Sequence, residues 1–226
     1  MDAATIFPIL GTIFSVFLSF SPTVPFIQVF KRQEKIEILP EGMLLCQLLN
    51  RLLWGSVWVL TKRIIPFINA AVGIFITSVF IVLYFYLYFD RLYYKTFMGL
   101  ISLIIIVFEF SIAIIAISYG DVPTVSLLAM IFNVAMYIAP GQKILRVIKE
   151  KNYKLIPIRS TIVSILCSGS WLIYGIVINL VAQIIPNALG LFFSIANTLA
   201  WIYFYINRPN KKNNSEEEKF AVVHNV

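Results

Sequence analysis

Residues 39–60 read LPEGMLLCQLLNRLLWGSVWVL, and residues 156–177 read IPIRSTIVSILCSGSWLIYGIV. Each stretch opens on an apolar residue and a proline and carries a tryptophan 14 residues after that proline. Pro40 and Pro157, and Trp54 and Trp171, stand 117 residues apart. Each stretch also has the length of about 20 residues that a helix needs to cross a bilayer. Working outward, Pro22 and Pro140 are 118 residues apart, as are Asn69 and Asn187. Proline and tryptophan are frequent in membrane helices. Four pairs recurring in order at one near-constant offset nevertheless indicate an internal duplication.

Seven apolar runs follow one another: 5–30, 39–60, 66–89, 96–117, 124–148, 158–181 and 185–206. They fill most of a chain of 226 residues in which 60% are hydrophobic and 13% charged. A soluble domain of this length could not hide so much apolar surface. The expected fold is an all-α membrane protein, with seven transmembrane helices arranged as two parallel three-helix repeats joined by a linker helix. The first repeat covers 1–95, the linker 96–118, the second repeat 119–206, and a polar, disordered tail 207–226. Three spans are an odd number, so without a linker the second copy would insert upside down. Repeats of this kind place the substrate at their interface near the midplane.

Lysine and arginine alternate by loop. Lys31, Arg32 and Lys35 follow the first run; Arg91 and Lys95 follow the third. Lys143, Arg146, Lys149, Lys151, Lys154 and Arg159 cluster after the fifth, and Arg208, Lys211, Lys212 and Lys219 lie in the tail. The opposite side has only Lys62 and Arg63. The positive-inside rule puts the N-terminus outside and the tail in the cytosol. It also accounts for the net charge of +7 without nucleic acid.

Other classes find little support. Cys46 and Cys167 both fall inside apolar runs, and no Cys/His spacing suits a metal. The first run is read as a span and not as a cleaved signal peptide. Intramembrane catalysis needs a nucleophile–base set, paired acids or a metal cluster. His224 is the sole histidine and lies in the tail, while Asp2, Asp90 and Asp121 lie in loops or at the terminus. The last run has no lysine for a retinal linkage, and the inner loops are too short for a structured receptor surface. No cofactor is expected. The partners are a small solute and the bilayer.

Several residues stand out chemically. Pro22, Pro40, Pro140 and Pro157 lie at one depth, and each removes a backbone donor. They form a candidate hinge ring, although Pro40 and Pro157 also suit the first turn of a helix. Trp54 and Trp171 each offer a flat apolar face and one N–H donor, suited to stacking on a small solute or to anchoring at an interface. Asn69 and Asn187 can pair with hydroxyls or bond between helices. One helical turn from these residues lie Leu18 and Met136, and Asn50 and Cys167, again related by the repeat offset. Arg51 and Glu109 are the charges well inside runs, and a buried pair between span two and the linker is expected because either alone is costly. A proton relay is the sharper reading of the same acid.

Together these segments resemble the SWEET sugar-transporter family. The resemblance covers nearly the whole chain up to Tyr205. It rests on Phe20-Ser21-Pro22, Leu39-Pro40, Leu48-Leu49-Asn50 and Trp54 in the first repeat. In the second it rests on residues 133–140 (NVAMYIAP), Ile156-Pro157, Trp171-Leu172-Ile173-Tyr174-Gly175 and Pro186-Asn187-Ala188-Leu189-Gly190. Two departures stand in the first repeat: Val57-Trp58 where the family carries Tyr-Gly, and Arg51 where it carries Cys. The resemblance implies a bidirectional sugar uniporter, without ATP, working by alternating access. It implies Trp54, Asn69, Trp171 and Asn187 at the substrate, with Leu18, Asn50, Met136 and Cys167 around it. The four prolines then serve the inner gate. It further implies a plasma-membrane or endomembrane location, homo-oligomerisation, and monosaccharide preference through the bulk of Leu18 and Met136. A PQ-loop-type carrier of amino acids or other small solutes is the alternative, although the chain contains no Pro-Gln dipeptide.

The topology makes a test independent of substrate. Asn213-Asn214-Ser215 is a glycosylation sequon. It is expected to remain bare when the chain is expressed in a eukaryotic host. A glycan on Asn213, read as an enzyme-sensitive mobility shift, would reverse the orientation.

Overall fold

The structure is a computed structural model that describes residues 2–33, 39, 41–91 and 96–207. Within these, the chain is helical nearly throughout. The helices are α1 (Ala3–Ser19), α2 (Thr23–Phe30), α3 (Glu41–Leu60), α4 (Ile64–Arg91), α5 (Thr96–Tyr119), α6 (Val122–Ala135), α7 (Ile138–Glu150), α8 (Ile158–Val177) and α9 (Val181–Ile206). Five stretches are long and apolar enough to cross a membrane: Ala3–Phe30, Gly42–Leu60, Ile64–Leu87, Ile158–Val177 and Val181–Ile206. Leu103–Tyr119 and Val122–Ala135 are shorter apolar helices. The former belongs to the 24-residue α5, about 36 Å at 1.5 Å per residue. The latter continues into α7 after a break at Met136 and Tyr137.

The packing has a regular plan. α4 lies against both α1 and α3, and α9 lies against both α6 and α8. Between these two sets, α1 meets α8 and α3 meets α6. Thus the first helix of each set touches the second helix of the other. α5 packs mainly along α3, where Ser56 Oγ lies 3.5 Å from the Ala113 carbonyl oxygen. The exterior is apolar: Phe17 is 66% exposed, Ile64 73% and Phe75 70%. The interior holds, beside apolar clusters such as Leu44, Leu48 and Phe80, the polar residues Ser15, Ser19, Thr77, Gln183, Asn187 and Ser194. The apolar exterior departs from the soluble pattern. With hydrocarbon outside, polar groups gain only by facing one another or a wet cavity.

Helix ends repeat as well. α3 ends with Lys62 in the left-handed region at φ 54°, and α8 with Asn179 at φ 56°. Beyond each, an amide folds back on the helix: Arg63 N–H to Trp58 O at 3.0 Å and Leu180 N–H to Gly175 O at 2.9 Å. These return bonds satisfy carbonyls that a helix C-terminus otherwise leaves open. At the start of α6, the Asp121 carboxylate accepts from Thr124 N–H at 3.1 Å. The Thr124 side chain, and then that capping bond, hold its carboxyl below the usual carboxylate range.

Two expectations meet the structure differently. Pro40 and the tail beyond Asn207 lie outside the described residues. The expected Arg51–Glu109 pair does not form. Arg51 turns toward α1 and α4, donating to Ser19 Oγ at 2.8 Å and to the Asn69 carbonyl at 3.5 Å. Glu109 is 3% exposed, and its Oε2 has no hydrogen-bond partner. The reason is angular. α5 meets the face of α3 that carries Ser56, five positions from Arg51, or roughly 140° around a helix of 3.6 residues per turn.

The shared C-cap is open to test. Asn tolerates the left-handed conformation, whereas a β-branched residue does not. Asn179→Val is expected to destabilise the detergent-solubilised protein by about 1–2 kcal/mol, and Asn179→Gly to leave it unchanged or better. The thermal unfolding midpoint reports both.

Candidate functional site

One cavity of about 240 Å³ lies between the two helix sets. All eight residues expected around a substrate line it: Leu18, Asn50, Trp54 and Asn69 from one set, Met136, Cys167, Trp171 and Asn187 from the other. Cys46, which sequence reasoning placed away from the site, is exposed and is not among the lining residues.

The α1–α8 wall is built on small residues. Gly11 lets the Trp171 indole approach α1: a Cβ there would stand 2.7 Å from the indole Cε2. Trp171 donates its Nε1–H to Ser15 Oγ at 3.0 Å, which fixes the ring across the boundary between the sets. The Cys167 thiol lies 3.3 Å from the same oxygen. Ser19, one turn on, accepts from Arg51 and donates to the Ser15 carbonyl at 2.8 Å.

The opposite wall differs. The Trp54 ring stacks on Trp58 with centroids 5.4 Å apart and an interplanar angle of 22°. Trp58 reaches Tyr174 at 6.1 Å, and Tyr174 meets Trp171 edge-on at 5.8 Å. Four aromatic rings therefore run from one set into the other. Trp58, one of the departures from the family pattern, supplies a link in that chain. Edge-to-face and offset contacts of this kind add about 0.5–1.5 kcal/mol per pair beyond area burial.

Polar satisfaction is uneven. Asn187 donates from Nδ2 to the Gln183 carbonyl at 2.7 Å within α9. By contrast, Asn50 Oδ1, Asn69 Oδ1 and Trp54 Nε1 are buried and find no partner in the protein. Buried polar atoms are nearly always hydrogen-bonded, so three unpaired ones around one cavity mark a place for ligand or water. Two acceptors and one donor suit a molecule rich in hydroxyl groups, each of which both gives and accepts.

The prolines stand apart from this lining. Pro22 is buried between α1 and α2, where the helix breaks after Ser19 and resumes at Thr23. Pro140 falls in the first turn of α7, just after the break between α6 and α7. Pro157 is the N-cap residue of α8 and is exposed. Each lacks the N–H that would bond to the preceding turn.

Sequence reasoning missed further lining residues: Ser15, Ser19, Gln47, Asn133, Tyr137, Ser164, Ser168 and Gln183, together with Arg51. A signal existed. Ser15 and Asn133 stand at the repeat offset of 118, as do Ser19 and Tyr137; Gln47 and Ser164, and Arg51 and Ser168, stand at 117. Stepping three residues back from Leu18, Pro22, Asn50, Trp54 and their repeat mates, and keeping residues whose own mate is also polar, finds all of them but Gln183. Gln183 has no polar mate, since Ile65 and Pro66 stand at its offset.

Comparison with known proteins agrees with the geometry. The family described as "Sugar efflux transporter for intercellular exchange" matches residues 123–210. The bidirectional sugar transporter SWEET1a of Sorghum bicolor is 27% identical over 210 residues, covering 91% of this chain and 77% of the relative. SWEET10 of Arabidopsis thaliana is 24% identical over 217 residues, 92% of this chain and 73% of its own. The fold matches a solved eukaryotic SWEET transporter with a TM-score of 0.78 at 20% identity, over 91% of this chain and 98% of that one. With the family match in its second half, relatives aligned over nearly its whole length and the fold they share, this chain is a multi-pass integral membrane protein similar in sequence and in fold to the SWEET sugar transporters.

Proposed function

We propose that the chain is a passive, bidirectional sugar uniporter that works by alternating access and prefers monosaccharides. The carrying observation is a cavity shared by the two helix sets, with an indole from each and three unpaired buried polar atoms on residues that line it. The relatives' names, bidirectional sugar transporters, support the same reading.

The two sets correspond in this reading to repeats 1–95 and 119–206, with 96–118 as the linker. They rock about the cavity, and the prolines at the helix breaks absorb the bending as a gate on the cytosolic side. Trp54 and Trp171 sandwich the sugar ring. Asn50, Asn69 and Asn187 bond its hydroxyls, and Leu18 and Met136 limit its length. The cavity is small against the roughly 300–1,000 Å³ typical of drug-sized ligands, which favours one ring over two. A second ring would displace packed side chains at about 1–3 kcal/mol. Neutral hydrogen bonds of about 1 kcal/mol each, with stacking, give millimolar affinity, near −4 kcal/mol. Weak binding permits release on either side. The chain carries no phosphate-binding loop of the G-x-x-x-x-G-K type, in keeping with transport down a gradient. The N-terminus faces outward and the tail the cytosol, in the plasma membrane or an endomembrane.

Uptake of labelled glucose, sucrose and amino acids into cells expressing the chain tests the function. Glucose is expected to enter, sucrose several-fold more slowly, and amino acids not at all. Trp54→Ala, Asn69→Ala, Trp171→Ala and Asn187→Ala are each expected to reduce glucose uptake about tenfold or more at equal surface expression, the effect of about 1.4 kcal/mol. Normal uptake in all four would remove the site, and amino-acid uptake would favour the PQ-loop alternative.

Cys167 gives a second readout, because its thiol lines the cavity while Cys46 lies elsewhere. A membrane-permeant thiol reagent is expected to block transport, with excess glucose protecting. The block is expected to disappear in Cys167→Ser and persist in Cys46→Ser. The reverse pattern would place the sugar on another face of α8.

A further inference from the structure

Among the described residues that line the cavity, Arg51 is the single side chain with a charge. Its mate at the repeat offset is Ser168, so the charge is one-sided. The side chain is held in place by α1 and α4. Nη2 donates to Ser19 Oγ at 2.8 Å, and Nη1 makes a long contact of 3.5 Å to the Asn69 carbonyl. The guanidinium lies directly on Gly73, where a Cβ would overlap it. A guanidinium has five N–H donors, so these contacts leave others uncommitted. No carboxylate answers it: among the described residues the ion pair is Arg146 with Glu150, an exposed pair on α7, and Glu109 faces elsewhere.

A guanidinium enclosed in a membrane-spanning bundle without a counter-charge is costly, and a bound anion would relieve that cost. The polar atoms nearby narrow the class. Asn50 Oδ1 and Asn69 Oδ1 want donors, which hydroxyl groups give and a carboxylate cannot. Trp54 Nε1 wants an acceptor, and its indole offers a face for an apolar ring surface. One positive charge matches one carboxylate. A phosphate monoester, carrying about −1.5 to −2 at neutral pH, would leave excess negative charge enclosed.

We infer that this cavity takes a monosaccharide bearing one carboxylate, a sugar acid of the hexuronate class, with its carboxylate on the Arg51 guanidinium and its hydroxyls on Asn50 and Asn69. This rests on the sugar-transport reading above and refines its substrate. Gly73 is then a positioning residue, since it provides the space in which the guanidinium lies.

The test uses the full chain in proteoliposomes, with labelled D-glucose, D-glucuronate and D-glucose 6-phosphate, and records membrane current alongside uptake. The parent protein is expected to carry glucuronate at least as well as glucose and glucose 6-phosphate poorly. Net negative charge should enter with glucuronate and none with glucose. Arg51→Gln is expected to lower the glucuronate-to-glucose uptake ratio at least tenfold. Arg51→Lys should keep the ratio closer to the parent's, and Gly73→Ala should lower it without removing the charge. The inference is overturned if the parent moves glucose but neither moves nor binds glucuronate. It is equally overturned if glucose 6-phosphate is preferred to glucuronate, or if the ratio is unchanged in Arg51→Gln. If the parent neither moves nor binds any of the three, the sugar-transport reading falls with it. The parent measurements decide the matter even if a variant fails to insert.

Discussion

The constraint on which the rest of this structure depends is the cost of a polar group in hydrocarbon. A chain with 60% hydrophobic residues can leave leucine, isoleucine and phenylalanine on its outer surface at no loss. Its serines, asparagines and glutamines have to turn inward. Ser15, Ser19, Gln183 and Asn187 do so, and they meet where α1, α4, α8 and α9 converge. Most of these groups satisfy themselves locally or across the boundary between the helix sets, as Trp171 does on Ser15. Those that do not, on Asn50, Asn69 and Trp54, define the chemistry still wanted from outside.

The same constraint links packing to motion. Contacts between α1 and α8 include small residues and single hydrogen bonds, with Gly11 under Trp171 and Ser15 shared by an indole and a thiol. α8 packs most closely on α9 within its set, and α1 packs more on α8 of the other set than on α4 of its own. The boundary is also apolar, because Leu53, Val57 and Trp58 cluster with Val125, Ala129 and Tyr174 across it. The aromatic chain from Trp54 through Trp58 and Tyr174 to Trp171 crosses the seam on one side of the cavity. In the transport reading its contacts have to part and re-form in each cycle.

Much of this was legible in the sequence because residue types recur at one near-constant offset. The offset linking Trp54 to Trp171 and Asn69 to Asn187 picked out residues that the fold gathers around one cavity. The i,i+4 step from the prolines and tryptophans reached Leu18, Asn50, Met136 and Cys167 for the same reason. Arg51 and Glu109 were misread because sequence gives depth in the membrane but not the angle around a helix. Both charges lie inside spans, yet α3 turns Arg51 toward α1 and α4 while α5 lies on another face. Trp58 was noted as a departure from the family pattern, but its contact with Tyr174 depends on how the two sets are docked, which no local pattern encodes. Gln183 escaped because no polar residue stands at its offset.

The central claim is that the two helix sets share one sugar site. Equilibrium binding of a labelled sugar to the purified chain, read as stoichiometry, tests this most directly. The account predicts saturable binding of one sugar per chain with a Kd in the millimolar range, near −4 kcal/mol. Two equivalent sites per chain, one for each set, or no saturable binding at all, would contradict it.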